Sequence, residues 1–579
     1  MSRPIRTRFG LAAICLVLLL GADRAPAQTA FGLGAGADDQ GRAVALDPTG
    51  NTWLTGYFNG TVDFDPGPGV VALTAPAGQE AVYVVGYDGT GAVIFARSFG
   101  GIGRGIATDA AGNVYVTGEI GTGGVDVDPG PDEVVLVWTE GRVFLVSYDP
   151  AGNLRFGFNF GGGVTNRIES GYDIGLDAAG NVYLTGVVNE ETDFDPTAGE
   201  VLAPTSGITD AFVASYTSLG GVRWGFVLGS RLLDAGYGLG VDGQGDVVVT
   251  GVFSDTLDFD PGPAVAAIAT AGQRDTYVAG YDSDGQYRFA GSIGGTSEDV
   301  GLDVALAADG NSYVTGWFRG DSDFDPGPGT FLLAAGATDD AFLASYDAGG
   351  ALRFAFRLGA VSTAMAANAV ALDGQDRPVI TGRFRSPIDF DPGPGSVVLS
   401  GGQDVFVAGY DDLGGYRFAT SFEDVGTEFA DEGHGVAVAG DGAILVTGSC
   451  AGVTDFDAGP GQILVTSQGA ADAFLATFQP AVSAVGDAGP ARSGAFARAF
   501  PNPTSGSTRV RLEAAAAGPV RVDVYDLAGR RVARLLDADL PAGAVRMLEF
   551  AGRQLPSGVY FVQVSDRRGT TTERVALVR

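Results

Sequence analysis

Paired aspartates recur along this chain of 579 residues at nearly constant spacing. The pattern Asp-x-Asp occurs seven times, most often as Asp-Phe-Asp-Pro-Gly, and its first aspartates are 63 to 67 residues apart. The pairs are Asp63 and Asp65, Asp126 and Asp128, Asp193 and Asp195, Asp258 and Asp260, Asp323 and Asp325, Asp389 and Asp391, and Asp455 and Asp457. A fixed period of this size indicates one supersecondary unit copied in tandem. The chain is therefore predicted to fold as an array of seven similar units.

Each copy contains the same order of short apolar segments. An apolar segment leads through a Gly/Asn turn into a second one that ends in Thr-Gly, and the Asp-x-Asp loop follows. A third segment such as Asp340 to Asp347 and a fourth such as Leu352 to Phe356 complete the copy. Segments of this length, rich in Val, Phe and Tyr and separated by Gly, Asn, Asp and Pro, are typical of β-strands. We therefore expect four antiparallel strands in each copy, with the Asp-x-Asp loop between the second and the third.

The two ends of the array indicate a ring. A solenoid of stacked sheets would need capping repeats with polar outer faces. Instead, the last copy stops after its third strand, Asp472 to Phe478, and the segment Ala30 to Gly34 matches the fourth strand that it lacks. A blade built from both chain ends leaves no open edge. The predicted fold class is all-β: a seven-bladed β-propeller of four-stranded blades, closed by the N-terminal strand.

The repeats resemble a bacterial family of β-propeller repeats called SBBP repeats. The resemblance rests on the runs Gly112 to Gly118 and Asp210 to Tyr216, and it covers about residues 28 to 480. It implies a propeller displayed outside the cell or on its surface, and it implies no particular reaction.

The first residues are typical of a secretory signal peptide. Basic residues precede an apolar run, Leu11 to Leu20, and small residues at 25–27 form a cleavage site. The apolar run is too short to span a bilayer, and we expect no transmembrane helix after cleavage. Cleavage before Gln28 would also remove Cys15, which leaves Cys450 as the single cysteine and excludes an internal disulfide.

The periodicity ends after Phe478, and the composition then changes. The predicted domains are a signal peptide at 1–27, the propeller at 28–479, a small-residue linker at 480–498 and a C-terminal domain at 499–579. Apolar and polar residues alternate in the last domain and are interrupted by Gly and Pro, which predicts a small Ig-like β-sandwich.

This C-terminal domain resembles the sorting domain of type IX secretion cargo. The resemblance rests on spaced motifs that include Pro501, Asn502, Pro503, Gly506, Asp526, Gly529, Arg530, Gly558 and Tyr560. It implies that the outer-membrane translocon of type IX secretion recognises the domain. The implied destination is the medium or the outer cell surface.

The charge of the chain limits its partners. Its formal net charge is -34 at pH 7. A surface this acidic repels nucleic acid and anionic membranes, so neither is expected as a partner. It suits cations, cationic ligands and solubility outside the cell.

No catalytic constellation is visible in the sequence. The one histidine, His434, occupies the repeat position of Arg42, Arg104 and Tyr172, where the side chains vary. Cys450 follows a Thr-Gly turn, and this placement is more typical of a small buried residue than of a nucleophile. One histidine and one mature cysteine do not make a zinc site of His and Cys ligands. We therefore expect no enzyme activity.

The Asp-x-Asp loops are the one organised source of carboxylates, and two interpretations of them stay open. Two carboxylates in a loop bent by Pro-Gly suit calcium, which takes six to eight oxygen ligands. In the other interpretation the first aspartate accepts backbone N–H bonds, the Phe packs between blades, and Pro-Gly forms the turn. Calcium at the seven pairs is a prediction, and no other cofactor is expected.

The sequence favours a secreted or cell-surface protein for binding, adhesion or display, with a glycan or a surface protein as ligand. Two alternatives stay open: an extracellular hydrolase or lyase that uses propeller carboxylates on polysaccharide, and a purely structural surface component. Acids, arginines and aromatic side chains that converge from several blades on one mouth of the channel would favour the enzyme. An even ring of repeated side chains would favour binding or scaffolding.

Overall fold

The protein is all-β in the part that the structure describes. The structure, a computed structural model, describes residues 28–128, 130–162, 169–197, 199–336, 338–359, 364–393, 395–425, 430–459, 461–480, 496–500, 507–513, 517–527, 529–541, 544–551, 555–556, 558–567 and 569–577. Apart from one 3-10 turn at Trp138–Glu140, the regular structure in these ranges is β-strand. No helix among these residues is long and apolar enough to cross a membrane. The predicted signal peptide lies outside the described residues.

The seven repeats form seven similar four-stranded antiparallel units, in which the first strand pairs with the second, the second with the third and the third with the fourth. The first two units form one continuous sheet, because Val93–Thr108 belongs to both. The first strands are Gln40–Leu46, the second half of Val93–Thr108, Ser170–Leu176, Ala235–Val241, Asp299–Leu306, Ala366–Leu372 and Glu432–Val438. The second strands are Thr52–Phe58, Val114–Ile120, Val182–Val188, Val247–Phe253, Ser312–Phe318, Pro378–Phe384 and Ile444–Cys450. The third strands are Ala81–Tyr87, Val143–Tyr148, Asp210–Tyr216, Asp275–Tyr281, Asp340–Tyr346, Asp404–Tyr410 and Asp472–Phe478. The fourth strands are the first half of Val93–Thr108, Leu154–Phe160, Val222–Leu228, Tyr287–Gly295, Leu352–Leu358, Tyr416–Asp424 and Thr29–Leu33.

The middle strands of each sheet are covered on both faces. All seven residues of Val182–Val188 and all seven of Asp210–Tyr216 are buried. Strands buried on both sides tolerate unbroken apolar runs, which is why these segments do not alternate. Neighbouring sheets share this core: the rings of Phe160 in the second sheet and Phe212 in the third lie 5.5 Å apart, edge to face.

The Thr-Gly pair lies inside each second strand, which continues for two residues beyond it and does not end there as the sequence indicated. The pair has a packing role. Thr185 Oγ1 donates a hydrogen bond to the Phe212 carbonyl at 2.8 Å, within its own sheet. The same hydroxyl faces Gly236 in the first strand of the next sheet, where a Cβ would lie 2.1 Å from it. A side chain at Gly236 would therefore collide with the neighbouring sheet. Five other junctions between consecutive repeats or chain ends show the same Thr–Gly approach: Thr55–Gly103, Thr117–Gly171, Thr250–Gly301, Thr381–Gly433 and Thr447–Gly41.

The last sheet is completed from the N-terminus. Thr29–Leu33 pairs antiparallel with Asp472–Phe478, from Thr29 opposite Thr477 to Leu33 opposite Ala473. The first and last repeats also meet through Gly41, since a Cβ there would lie 2.0 Å from Thr447 Oγ1. Each first strand contacts that of the following repeat, and the seventh contacts the first.

Each Asp-x-Asp motif begins the turn of a small hairpin, which the sequence did not predict as a pair of strands. The hairpin lies between the second and third strands, as the order of segments indicated. The hairpin strands are Thr61–Asp63 with Ala72–Thr74, Gly124–Asp126 with Val135–Val137, Thr192–Asp193 with Leu202–Ala203, Thr256–Asp258 with Ala267–Ala269, Asp321–Asp323 with Leu332–Ala334, Ile388–Asp389 with Val398–Leu399, and Val453–Asp455 with Leu464–Thr466. The four predicted strands are present in each repeat, and the hairpin adds two short strands to them.

The C-terminal residues form two further antiparallel sheets that share one core. One sheet has the order Phe496–Phe500, Ser507–Glu513, Val545–Ala551, and the other has the order Arg531–Leu540, Gly518–Asp526, Gly558–Asp566, Gly569–Leu577. Val510 and Phe550 of the first sheet belong to the same buried cluster as Val522 and Val562 of the second.

Candidate binding cavity

One residue in each first strand is left out of the ladder with the second strand. In the first repeat, for example, Gly41 lies opposite Gly56 and Ala43 opposite Thr55, so the residue between them is unpaired. The same shift occurs in all seven repeats. The unpaired residues are Arg42, Arg104, Tyr172, Tyr237, Leu302, Asn368 and His434. A β-bulge of this kind redirects its side chain and interrupts the ladder locally.

All seven bulge residues line one cavity of about 730 Å³. Its volume lies in the range of small-molecule and cofactor sites. At this position the repeats carry two arginines, two tyrosines, a leucine, an asparagine and the single histidine. The lining of the cavity is therefore chemically different from repeat to repeat.

On one side of the cavity, arginine and aromatic side chains from consecutive repeats are in contact. The Arg104 guanidinium lies 4.9 Å from the centre of the Tyr172 ring, and its Nη2 is 3.3 Å from Glu119 Oε1. The Tyr172 and Tyr237 rings meet edge to face with centroids 5.1 Å apart. Burial raises the pKa of Tyr172 to about 12, so its phenol stays protonated and can donate a hydrogen bond.

On another side of the cavity, the carboxylate of Glu432 contacts two polar side chains. Its Oε1 accepts a hydrogen bond from Asn368 Nδ2 at 2.8 Å, and its Oε2 lies 3.1 Å from Arg383 Nη1. Arg383 therefore balances the charge of Glu432, as Glu119 balances that of Arg104.

Four buried polar atoms of the cavity lining have no hydrogen-bond partner among the described residues: Gln40 Oε1, Arg42 Nε, Arg104 Nε and His434 Nε2. Burial, and next the charge of Arg104, lowers the pKa of Arg42. Burial, and next the charge of Arg42, lowers the pKa of His434 to about 4, so the imidazole is neutral at pH 7. Unpaired buried polar groups cost free energy, and a bound polar ligand would satisfy them.

Two aspartates follow the bulge in the third and fifth repeats and also line the cavity. Asp173 Oδ2 accepts from the Leu239 amide and Asp303 Oδ2 from the Val370 amide, each at 2.7 Å and each in the next sheet. Burial raises the pKa of both carboxyls, and for Asp303 the charge of Asp173 is the second cause. These carboxyls join neighbouring first strands through the backbone.

The predicted calcium ligands lie in the hairpins, where each pair bonds to its own backbone. The first aspartate uses Oδ1 twice: Asp323 Oδ1 accepts from the Asp325 amide at 3.0 Å and from the Phe331 amide at 2.7 Å. The second aspartate accepts from the amide two residues later, at 2.9 Å for Asp325 and Gly327. The other six pairs make the equivalent bonds. Within the described ranges, no group of three or more His, Cys, Asp or Glu side chains is placed to hold a metal ion.

The residue between the two aspartates fixes the hairpin to the sheet. It is Phe in six repeats and Val127 in one, and it is buried in all of them. Its carbonyl accepts a hydrogen bond from the tyrosine that ends the third strand, as in Tyr346 Oη to Phe324 O at 3.2 Å. In the last repeat Phe478 replaces this tyrosine, and the side-chain amide of Gln28 donates to Phe456 O instead. These contacts fit the turn-forming interpretation of the motif.

The remaining candidate residues have structural surroundings. Cys450 is buried, and burial raises the pKa of its thiol well above the ordinary value, which disfavours a nucleophilic thiolate. In the C-terminal domain, Asp526 accepts hydrogen bonds from Arg530 N at 2.9 Å and Arg530 Nε at 2.8 Å around a turn in which Gly529 has φ +75°. Tyr560 Oη donates to Pro556 O at 2.8 Å, and Gly558 begins its strand. Pro501, Asn502, Pro503 and Gly506 lie outside the described residues.

His434 shares a repeat position with Arg42, Arg104 and Tyr172, and the sequence alone indicates no function for this position. The structure places that position on the cavity wall. Other repeat positions, such as that of Tyr57, Glu119 and Trp317, vary as much, so variation alone could not have identified the site.

Comparisons with known proteins identify the C-terminal domain. Residues 498–578 match the family model described as secretion system C-terminal sorting domain. This domain indicates export by type IX secretion to the extracellular space or the cell surface, and it implies recognition by that machinery. The expected localisation is thereby confirmed.

The repeats have a distant curated relative. The uncharacterized WD repeat-containing protein L264 of Acanthamoeba polyphaga mimivirus is 27% identical over 238 residues, which are 35% of this chain and 17% of that protein. The match thus spans a small part of the relative's length.

Two solved structures show only weak similarity. Dimeric latent PorU from Porphyromonas gingivalis has a TM-score of 0.16 and 12% identity, over 65% of this chain and 32% of that one. A glycoside hydrolase family 43 arabinoxylan arabinofuranohydrolase from Bacillus subtilis has a TM-score of 0.21 and 12% identity, over 82% of this chain and 92% of that one. TM-scores at this level establish no shared fold.

Proposed function

We propose that this exported chain is a non-catalytic binding protein whose seven repeats close into a β-propeller and hold a ligand in the central cavity. One observation carries the proposal: side chains of five residue types occupy the seven equivalent bulges around one cavity of about 730 Å³. A cavity of this size with a few polar groups placed around it suits recognition of an asymmetric ligand. Export places that ligand outside the cell, where glycans and surface proteins are the available classes.

Three observations support the closed seven-bladed ring. Thr29–Leu33 completes the seventh sheet, and the Gly41–Thr447 approach joins the seventh repeat to the first in the way that Thr185 and Gly236 join their own neighbours. The distant relative is named for WD repeats, which form propeller blades of four strands. SBBP repeats, the domain limits 28–479 and 480–498, and the signal peptide at 1–27 belong to the same proposal.

One observation favours an enzyme as the second candidate function. Arginines, aromatic rings and the carboxyls of Asp173, Asp303 and Glu432 converge on the cavity from several repeats. A polysaccharide hydrolase would need two of these carboxyls free to flank a glycosidic bond. Asp173 and Asp303 each accept backbone amides with both oxygens, and Glu432 bonds to Asn368 and Arg383. This engagement supports binding over catalysis.

The test is a cavity-filling substitution in the full exported chain. A panel of neutral and acidic oligosaccharides is screened for binding by calorimetry, and each binder is also assayed for release of new reducing ends. Leu302→Trp fills the cavity without a change of charge, and Leu219→Trp, at a leucine that is 76% exposed, is the matched control. We expect a ligand that binds the native chain and Leu219→Trp, is lost in Leu302→Trp and is not cleaved.

Two other results would contradict the proposed binding function. A ligand bound equally by Leu302→Trp lies elsewhere on the protein and refutes the cavity as the site. Release of reducing ends that Leu302→Trp abolishes would establish the hydrolase instead.

A further inference from the structure

One cationic side chain of the cavity has no opposite charge beside it. Arg104 lies near Glu119, and Arg383 lies near Glu432, at 3.3 Å and 3.1 Å. Arg42 makes no ion pair with any described carboxylate; its guanidinium lies 5.6 Å from the centre of the Tyr57 ring, and its Nε is buried without a partner. A buried charge is normally paired because its desolvation is costly. No described carboxylate, however, lies within ion-pair distance of Arg42.

Tyr57 and then Glu432, which Arg383 already pairs, favour the protonated form of Arg42, whereas its other neighbours do not. Arg104 occupies the equivalent bulge of the next repeat, and its positive charge disfavours the protonated form of Arg42. His434 occupies the bulge of the preceding repeat around the array and is neutral at pH 7. Burial raises the pKa of Asp173 and Asp303, which weakens them as counter-charges within the cavity.

We propose that the cavity binds an acidic saccharide through its carboxylate, with Arg42 as the anchor and Arg104 beside it. Guanidinium groups match the planar carboxylate with two parallel hydrogen bonds. Tyr172 and Tyr237 supply ring faces and phenol hydroxyls for a sugar ring, next to the arginines. The unpaired His434 Nε2 and Gln40 Oε1 provide further bonds to sugar hydroxyls. This inference rests on the proposed binding function and narrows its ligand to uronate-containing glycans.

The net negative charge of the whole protein opposes the binding of an anion in the cavity. The chain carries -34 overall, and its field repels anions at long range. A carboxylate can bind only where short-range contacts outweigh this repulsion, and the Arg42–Arg104 side of the cavity offers such contacts.

The test uses the full mature chain, purified without a histidine tag and labelled with 13C in histidine. The chain contains one histidine, so His434 gives a single NMR signal from the cavity. The probes are trimers of galacturonate, glucuronate and mannuronate, each paired with its neutral methyl ester. We expect at least one acid to bind and to shift the His434 signal, with its ester at least about 10-fold weaker.

Substitutions identify the charge that is responsible. Arg42→Gln should weaken binding of the acid about 10- to 100-fold, because a charge-assisted hydrogen-bond pair is lost. Arg231→Gln makes the same charge change at an exposed arginine and should leave the affinity unchanged. Far-ultraviolet circular dichroism and the free-state His434 signal establish that both variants fold.

Three outcomes would overturn the inference: no acid trimer binds at millimolar concentration, an ester binds as tightly as its acid, or Arg42→Gln behaves like Arg231→Gln. A neutral glycan that shifts the His434 signal when no acid does so would leave the proposed binding function intact. A ligand that binds without moving the His434 signal, and equally in Leu302→Trp, would refute the proposed function itself.

Discussion

The Asp-x-Asp hairpins and the bulges of the first strands each occur seven times, yet they differ in sequence. The hairpins keep the same two aspartates in all repeats, and both bond to the backbone of their own turn. The bulges carry five residue types in seven repeats, and all seven line one cavity. Side chains that serve the repeat itself stay the same, whereas side chains that face a shared space are free to diverge.

This difference separates the positions that build each repeat from the positions that line the cavity. A hairpin has the same task in every repeat, so one solution recurs. The bulge residues line one cavity from different repeats, so no single side chain has to suit all positions. The most repeated motif of this chain therefore says least about what the cavity could bind.

The largest expected effect comes from a uniform position, the glycine that faces the neighbouring sheet. A Cβ at Gly171 would lie 2.2 Å from Thr117 Oγ1, so Gly171→Val forces adjacent sheets apart. We expect a loss of about 3 kcal/mol in the free energy of unfolding, measured with urea. Gly440→Val is the control, because nothing lies within 4 Å of its Cβ position. Equal stability of the two variants would contradict the close packing of the sheets.

The next effect concerns the hairpins. Asp323→Ala removes the acceptor of two backbone amides, and we expect a loss of about 1–3 kcal/mol in the free energy of unfolding. Asp132→Ala, an exposed aspartate in the loop of another hairpin, should change it by less than about 0.5 kcal/mol.

The same variants test calcium, which stays a prediction. If the aspartates only form the turn, the loss in Asp323→Ala is the same in chelator and in millimolar calcium. A melting temperature that rises across a calcium titration, and no longer does so after replacement of both Asp323 and Asp325, would identify the hairpins as cation sites.

A third prediction concerns pH, because buried aspartates tie the ends of the strands. Burial raises the pKa of Asp299 to about 6 and that of Asp431 to about 7, above the ordinary value of 3.8. The folded protein therefore binds more protons than the unfolded chain between about pH 4 and pH 7, and its stability rises as the pH falls through this window. We expect the free energy of unfolding to be higher at pH 5 than at pH 7 by an amount on the order of 1 kcal/mol.

Asp431→Asn should remove part of that increase, because asparagine keeps an acceptor for the Ala451 amide but does not titrate. Other aspartates act in the opposite direction at lower pH. Thr49 and Asn51 donate hydrogen bonds to Asp47 and lower its pKa despite its burial. The contribution of Asp47 to stability is therefore lost only when the pH falls below the ordinary pKa of an aspartate. A stability that falls steadily from pH 7 to pH 5 would contradict the protonation of the buried group.

The sequence predicted the all-β class, the repeat and the order of its segments because these depend on local residue choice. Runs such as Val182–Val188 and the turns between them specify strands without knowledge of the neighbours. The hairpin strands escaped prediction because they are only two or three residues long, as in Thr192–Asp193 and Leu202–Ala203.

The cavity could not be predicted, because it depends on contacts between repeats. The bulge that places Arg42 in the cavity wall arises from a register shift between strands, and no residue type in the sequence predicts this shift. Contacts such as Arg223 Nη2 to the Ser283 carbonyl, 60 residues later and 3.0 Å away, likewise join one repeat to the next. Such contacts follow from the assembled array and are not visible in any one repeat.

The smallest expected effect comes from the one break in the Thr–Gly packing. Ala367 stands where the other repeats have glycine, and Thr315 Oγ1 is buried without a partner among the described residues. In the third repeat, the equivalent Thr185 hydroxyl donates to the Phe212 carbonyl. We attribute the loss of this bond at Thr315 to the methyl group of Ala367. Thr315→Val should therefore change the free energy of unfolding by less than about 0.5 kcal/mol, whereas Thr185→Val should cost about 1 kcal/mol. The same loss of unfolding free energy for Thr315→Val and Thr185→Val would contradict this prediction. The two Thr hydroxyls would then contribute equally to stability, whether the next repeat has glycine or Ala367 at the facing position.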